Sequence, residues 1–241
     1  MKIAIIGYGK MGRAIEQIAI QRGHEIVSKI DVNNSDDTFD GEGFASADVA
    51  IEFTTPKTAY NNFLECFKRN KPVVAGTTGW LEKLDEIKGY CTGDKPQTFF
   101  YSSNYSLGVN IFAEINRQLA RLMDGFADYD VNMTETHHIH KLDAPSGTAI
   151  SLAQGIMSNL KRKTDWVLSP EQRPGAIQIA SIRQYEVPGI HTIHYESEDD
   201  FIEITHSAKS RRGLAFGAVL AAEYTVEHKG GFLEMKDLLG F

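Results

Sequence analysis

The chain has only two cysteines, Cys66 and Cys91, in 241 residues. That excludes a disulfide framework of the kind small secreted domains rely on. Cys66 sits in "NFLECFKRN", where a buried helical thiol is expected. No run of about 18 apolar residues exists, so no membrane-spanning helix is predicted. The opening "MKIAIIGYG" is too short for a secretory signal and runs into glycines rather than a cleavage site. Positive charge is also in deficit. Lys and Arg number 25 against 32 Asp and Glu, a net charge of -7, which argues against nucleic-acid binding. Internal repeats and low-complexity segments are lacking. What is there, 42% hydrophobic and 24% charged residues, reads as an ordinary soluble globular protein of the cytoplasm. The length suits one large domain or two modest ones.

The first informative stretch is "KIAIIGYGKMGRAIEQIAIQRGHEIVSKID", residues 2 to 31. Lys2 to Ile6 is a nearly continuous apolar run, which suits a strand buried on both faces of a parallel sheet. Gly7, Gly9 and Gly12 then match G-x-G-x-x-G. Ile15, Ile18 and Ala19 follow at helical spacing, and Gly23 is placed to end that helix. A second strand ends at Asp31, about 20 residues on, which completes the setting of a dinucleotide fingerprint. In this pattern Gly7 permits the turn, Gly9 admits a pyrophosphate to the backbone, and Gly12 lets the helix pack close. The helix start offers free N–H groups to phosphate, with Lys10 and Met11 beside them. Asp31 is placed to accept from a ribose 2′-hydroxyl. A carboxylate there repels a 2′-phosphate, and "DVNNSDD" brings no immediate cation, so NADH is favoured over NADPH; Lys10 works against that preference.

Strands and helices keep alternating to residue 105, the pattern of a doubly wound parallel sheet. Ligands in such sheets bind at the carboxyl ends of strands. That points to Phe53 and Thr54, to Gly76, Thr77 and Thr78, and to Ser102, Ser103, Asn104 and Tyr105. The pattern then changes. A long amphipathic helix in "SLGVNIFAEINRQLARLM", an alternating strand in "DYDVNMTETHHIHKL" and a run of alternating strands through residues 176 to 208 predict an α+β domain with a mainly antiparallel sheet. The expected division is 1–105 for the dinucleotide, 106–213 for substrate, and a helical segment 214–241 returning to the first domain. A small apolar face on that helix (Ala215, Gly217, Ala218, Ala221, Ala222) predicts close packing. The fold class is α/β: an N-terminal Rossmann-type parallel sheet plus the α+β domain.

The densest chemistry is "ETHHIHKLDAPSGTA", residues 135 to 149. His137, His138 and His140 have no metal-binding spacing such as H-E-x-x-H, and no metal is expected. On a strand-to-loop path His137 and Lys141 converge on one pocket, which suits acid/base chemistry. Ser146 or Thr148 is placed to cap the helix that follows. The Gly147 and Thr148 N–H groups then make an anion cradle. A cradle plus Lys141 suits a small acid, and Arg211 or Arg212 from "HSAKSRRG" is available to help.

This stretch resembles the signature of the bacterial dihydrodipicolinate reductase family, E-x-H-H-x-x-K-x-D-A-P-S-G-T-A, at every fixed position. "GYGKMG", "GTTGW", "SSNYSLGVN" and "EITHSAKSR" resemble family segments in the right order, so the likeness runs over nearly the whole chain. It implies reduction of a cyclic imine dicarboxylate to tetrahydrodipicolinate by NADH or NADPH, with loss of water from the 4-hydroxy precursor, in lysine and diaminopimelate biosynthesis. His137 would be the acid/base histidine and Lys141 the proton donor. His138, Lys141, Ser146, Gly147 and Thr148 would hold the dicarboxylate. The glycine loop, Asp31, Gly76 to Thr78 and Ser102 to Tyr105 would hold the cofactor. A homotetramer built through the second domain's sheet is also implied. One departure is Ser102-Ser103, where many members carry Ala or Pro. The fold alone also suits a related dehydrogenase of another small amino-acid derivative, or a nucleotide sensor without turnover.

Overall fold

A computed structural model describes residues 1–34 and 36–241. The elements run β1 (Lys2–Ile6), α1 (Lys10–Gln21), β2 (Glu25–Ile30), α2 (Glu42–Ser46), β3 (Val49–Glu52), α3 (Pro56–Lys68), β4 (Val73–Ala75), α4 (Leu84–Tyr90) and β5 (Thr98–Tyr101). Then come α5 (Leu107–Met123), β6 (Asp130–His137), α6 (Gly147–Met157), β7 (Asp165–Leu168), β8 (Ala176–Arg183), β9 (Ile190–Glu196) and β10 (Phe201–Ser207). The chain closes with α7 (Arg212–Glu227), β11 (Gly231–Leu233) and α8 (Met235–Leu239). It divides into two compact units, Met1–Leu107 with Arg212–Phe241, and Gly108–Arg211.

The first unit is a six-stranded parallel sheet in the order β11-β5-β4-β3-β1-β2. β1 and β3 lie inside it, which is why their Ile- and Val-rich runs are apolar on both faces. Ile3, Ile5, Ile51 and Val74 are buried on one side, and Ile6, Ala50, Val73 and Phe99 on the other. The small face predicted for the last helix is real: Ala215, Ala218, Ala221 and Ala222 are all fully buried. It brings α7 against α1 and against β3, β4 and β5. A Cβ at Gly217 would lie 1.8 Å from the Tyr105 carbonyl oxygen, so that approach requires glycine. The return segment is not only helical. "GFL" forms β11, parallel to β5 at the edge of the sheet. Three residues, one of them a glycine, are too few for periodicity to register.

The second unit is a five-stranded mixed sheet in the order β10-β9-β6-β8-β7. β9 runs antiparallel to β10 and β6, whereas β8 runs parallel to β6 and β7. The alternation of residues 176 to 208 identifies these strands but not the direction of β8. α6 lies between β6 and β7 and carries the chain back as in a β–α–β crossover, so that β7 runs the same way as β6; β8 then pairs parallel with both. Val131, Met133, Ile177, Ile179 and Ile193 pack on one face of the sheet with Phe112 and Met123 of α5 and Leu152 and Ile156 of α6. β6 is the middle strand, and its last three residues, Glu135, Thr136 and His137, are all buried, so the alternation of the sequence does not persist to its end.

Candidate active site

The cofactor features gather at the carboxyl ends of the first unit's strands. Gly7 has φ +92° and would place a Cβ 2.1 Å from the Phe53 carbonyl oxygen; at Gly12 a Cβ would lie 2.3 Å from the Gly7 carbonyl oxygen. Both are glycine because the protein packs there. Gly9 differs: an added Cβ meets nothing within 4 Å. It stands as N-cap of α1 with no side-chain bond to the free N–H groups. That open helix start fits a dinucleotide phosphate. Gly9, Lys10, Met11, Phe53, Gly76, Thr77 and Thr78 line one cleft of about 420 Å³, together with Thr54 and Pro56.

Asp31 closes the glycine loop. Its Oδ2 accepts the Tyr8 N–H at 2.7 Å, and its Oδ1 accepts the Asn33 N–H and side-chain amide, each at 3.0 Å. The Asn33 and Tyr8 N–H groups hold its carboxyl below the usual range, so it is ionised. Arg13 of α1 adds to that effect and lies over the Tyr8 ring, 5.5 Å from its centroid. A scan of the residues after Asp31 misses this cation, because α1 brings it from the other side of the fingerprint.

The loop after β5 is less directly a ligand surface. The Ser102 hydroxyl donates to the Asn104 carbonyl at 2.7 Å and accepts the Asn104 N–H at 3.2 Å, while Ser103 is exposed. The Tyr105 side chain is taken up by the core: 2% exposed, it donates to the Ala75 carbonyl at 2.8 Å. The residue that sequence reasoning missed here is Glu52. Fully buried at the end of β3, it accepts from Thr54 N–H (3.1 Å), the Thr54 hydroxyl, and the Thr77 hydroxyl (3.1 Å). Burial pushes its carboxyl above the usual range. One acid thus ties together two of the loops that line the cleft. A lone Glu inside "VAIEFTTP" was the available signal.

In the second unit, β6 delivers Glu135 and His137, a turn carries Lys141, and α6 begins the cradle. Ser146 is the N-cap; its Oγ accepts the Ala149 N–H at 3.1 Å. The Gly147 and Thr148 N–H groups have no acceptor among the described residues, as expected of a first helical turn. Lys141 Nζ donates to both Asp143 oxygens, at 2.8 and 2.9 Å, and this holds the Asp143 carboxyl below its usual range. The Asp143 side chain that holds the ammonium is itself exposed. His138 is half-buried, and its Nδ1 has no partner. Arg211 is exposed at the end of this unit and has no bond to the cradle residues.

His137 is more enclosed than expected. It is 8% exposed. Nδ1–H donates to the Pro188 carbonyl at 3.2 Å, which fixes the tautomer and turns Nε2 toward Glu135 Oε2, 3.5 Å away. Burial lowers its pKa; Glu135 opposes this, and Lys141 and Arg183 add to it. His191 of β9 completes the cluster, 3.8 Å from the same oxygen, with its pKa pushed down to about 4, chiefly by burial. The donor atoms of Glu135, His137 and His191 lie within 4.8 Å of one another. This is not the His137, His138, His140 set weighed from spacing. Its donors suit a divalent metal, but Lys141 and Arg183 set two positive charges against one, and Glu135 already accepts from Ser146 and Ser181. The trio reads better as a place for a proton.

The match to known proteins decides the family. "Dihydrodipicolinate reductase, N-terminus" matches residues 1–105 and "Dihydrodipicolinate reductase, C-terminus" matches residues 108–239. The chain belongs to the dihydrodipicolinate reductase family. A 4-hydroxy-tetrahydrodipicolinate reductase of Christiangramia forsetii is 48% identical over 240 residues, covering 99% of this chain and 98% of that one. The enzyme of the same name from Staphylococcus saprophyticus is 36% identical, covering 99% and 100%. In fold, the chain is similar to a dipicolinate-bound dihydrodipicolinate reductase of Paenisporosarcina sp. TG-14, with TM-score 0.73, 22% identity and 97% of each chain covered. Reductases of this family use NADH or NADPH, bound by the N-terminal domain.

Proposed function

We propose that this chain performs the reduction that names its family. It converts 4-hydroxy-tetrahydrodipicolinate to tetrahydrodipicolinate with one hydride from NADH or NADPH and one proton, releasing water and the oxidised cofactor, in lysine and diaminopimelate biosynthesis. The observation that carries this reading is the cradle. A capped helix start with two free N–H groups belongs to the same turn as an ammonium held by an exposed carboxylate, in a chain that also has a cleft at its glycine loop. When bound, the nicotinamide supplies the hydride. The chain's own residues do the rest. The glycine loop and Asp31 hold the dinucleotide, and the Thr54 and Gly76–Thr78 loops hold its reactive end. Gly147 and Thr148 bind one carboxylate, with His138 and Lys141 beside them. Lys141 delivers the proton that must follow hydride addition, and neutral His137 behind it keeps a second positive charge off the site. Arg211 is assigned to the second carboxylate. Asp31 favours NADH, and Arg13 gives a 2′-phosphate one nearby partner, so the preference is modest.

The protein works in the cytoplasm; no helix among the described residues is long and apolar enough to cross a membrane. It assembles as a homotetramer through the outer face of the second unit's sheet. Asn132, Thr134, Gln178, Ala180 and Thr192 share that face by register, and Ile182 there is 44% exposed. A binding experiment tests the reading. Pyridine-2,6-dicarboxylate should bind in the presence of NADH and compete with substrate. Binding without competition, or none, would favour a related dehydrogenase of another small acid.

A further inference from the structure

Among the groups that the proposed reaction does not use, one contacts the cap of the cradle, the signature histidine and a neighbouring arginine. Glu135 is 1% exposed. Its oxygens accept the Ser146 N–H at 3.1 and 3.0 Å and the Ser181 hydroxyl at 2.9 Å. Arg183 Nη2 stands 3.4 Å from Oε1. The same guanidinium donates from Nη2 to the Asp143 carbonyl at 2.6 Å and from Nε to the Lys141 carbonyl at 3.3 Å. The first half of the signature is therefore fastened at Lys141 and Asp143, and the second half at Ser146, by one ion pair rooted in two adjacent strands.

We infer that Glu135 is the positioning residue of this site. It fixes the Ser146 cap that aims the Gly147 and Thr148 N–H groups, it fixes the Lys141 loop through Arg183, and it faces the one titrating nitrogen of His137. The inference rests on the functional reading above. A carboxylate in a buried position persists only when it is well bonded. Burial works against ionisation of Glu135, but the Ser146 and Ser181 bonds outweigh it and hold the carboxyl below the usual range. An apolar residue here would leave the Ser146 N–H and the Ser181 hydroxyl without this acceptor and the Arg183 guanidinium without its carboxylate. The charged and titratable groups facing His137 are Glu135 on its own strand, Arg183 on β8, His191 on β9 and Lys141 on the turn; His206 on β10 faces His191 in turn. Glu135 is the only anion among them; it favours the protonated imidazole, with the Pro188 carbonyl as a smaller contributor.

The test compares Glu135→Gln and Glu135→Asp with the parent protein. Three quantities are measured: pyridine-2,6-dicarboxylate affinity in the presence of NADH, NADH affinity, and the NMR pH titration of the His137 ring. Glu135→Gln should weaken dicarboxylate binding about tenfold or more, the loss of one charge-assisted hydrogen bond. It should move the His137 titration to lower pH and leave NADH affinity unchanged. Glu135→Asp should restore the His137 titration toward that of the parent. If Glu135→Gln does not fold, Arg183→Gln removes the second fastening and should weaken dicarboxylate binding while leaving the Ser146 cap in place. Unchanged dicarboxylate affinity and an unmoved His137 titration in a folded Glu135→Gln protein would overturn the inference. The titration needs no turnover. A parent protein that bound neither dicarboxylate nor NADH would instead count against the functional reading.

Discussion

Lys141→Ala lowers kcat by about 10²- to 10⁴-fold, the range for loss of a positioned general acid, and leaves NADH affinity as it was. The separation follows from the fold. Lys141 lies on the turn after β6, whereas the dinucleotide cleft is built wholly by the first unit. Lys141→Arg discriminates between its two duties. It keeps a positive charge for the dicarboxylate but holds its proton too tightly to give it up, so substrate affinity should survive better than turnover. Steady-state kinetics with a fluorescence titration of NADH reads both. A Lys141→Ala enzyme within a few-fold of the parent kcat would remove Lys141 from proton delivery.

The second large effect concerns stability in acid. His191 is 5% exposed, and folding pushes its pKa from 6.5 down to about 4. The unfolded chain takes up this proton at the ordinary histidine value, and the folded chain refuses it. Folding is unpenalised above about pH 6.5. As pH falls toward 4 the unfolded state gains the proton first, and stability declines by on the order of 3 kcal/mol at and below pH 4. His137 acts in the same direction, since its folded pKa is also lowered. Urea unfolding at pH 7 and pH 5 measures this. His191→Gln removes one titrating group and should flatten the dependence; an equally steep dependence in the variant would show that other groups carry it.

The fingerprint was legible because each glycine answers a local demand. Gly7 and Gly12 are forced by nearby backbone, and Gly9 leaves open space at a helix start. The cradle was legible for the same reason: capping chemistry is a short-range pattern, and Ser146 makes the bond its position predicts. What could not be read was whatever depends on strands meeting across the sheet. Arg183 lies on β8, 48 positions after Glu135, and His191 on β9, 45 after Ser146; only pairing with β6 brings them to the signature. 

Tyr105 shows the converse. Its place after β5 suggested a ligand contact, but α7 returns from far along the chain and encloses it. Arg13 was missed because the search ran forward from Asp31, while α1 supplies the charge from 18 residues before it.

The most direct test follows cofactor absorbance as 4-hydroxy-tetrahydrodipicolinate is generated enzymatically in the same cuvette. Oxidation of NADH should match the substrate formed, run somewhat faster than oxidation of NADPH, and slow competitively as pyridine-2,6-dicarboxylate is added. No oxidation of either cofactor, by a protein that demonstrably binds NADH, would contradict the assignment and leave a nucleotide-binding protein without this reaction.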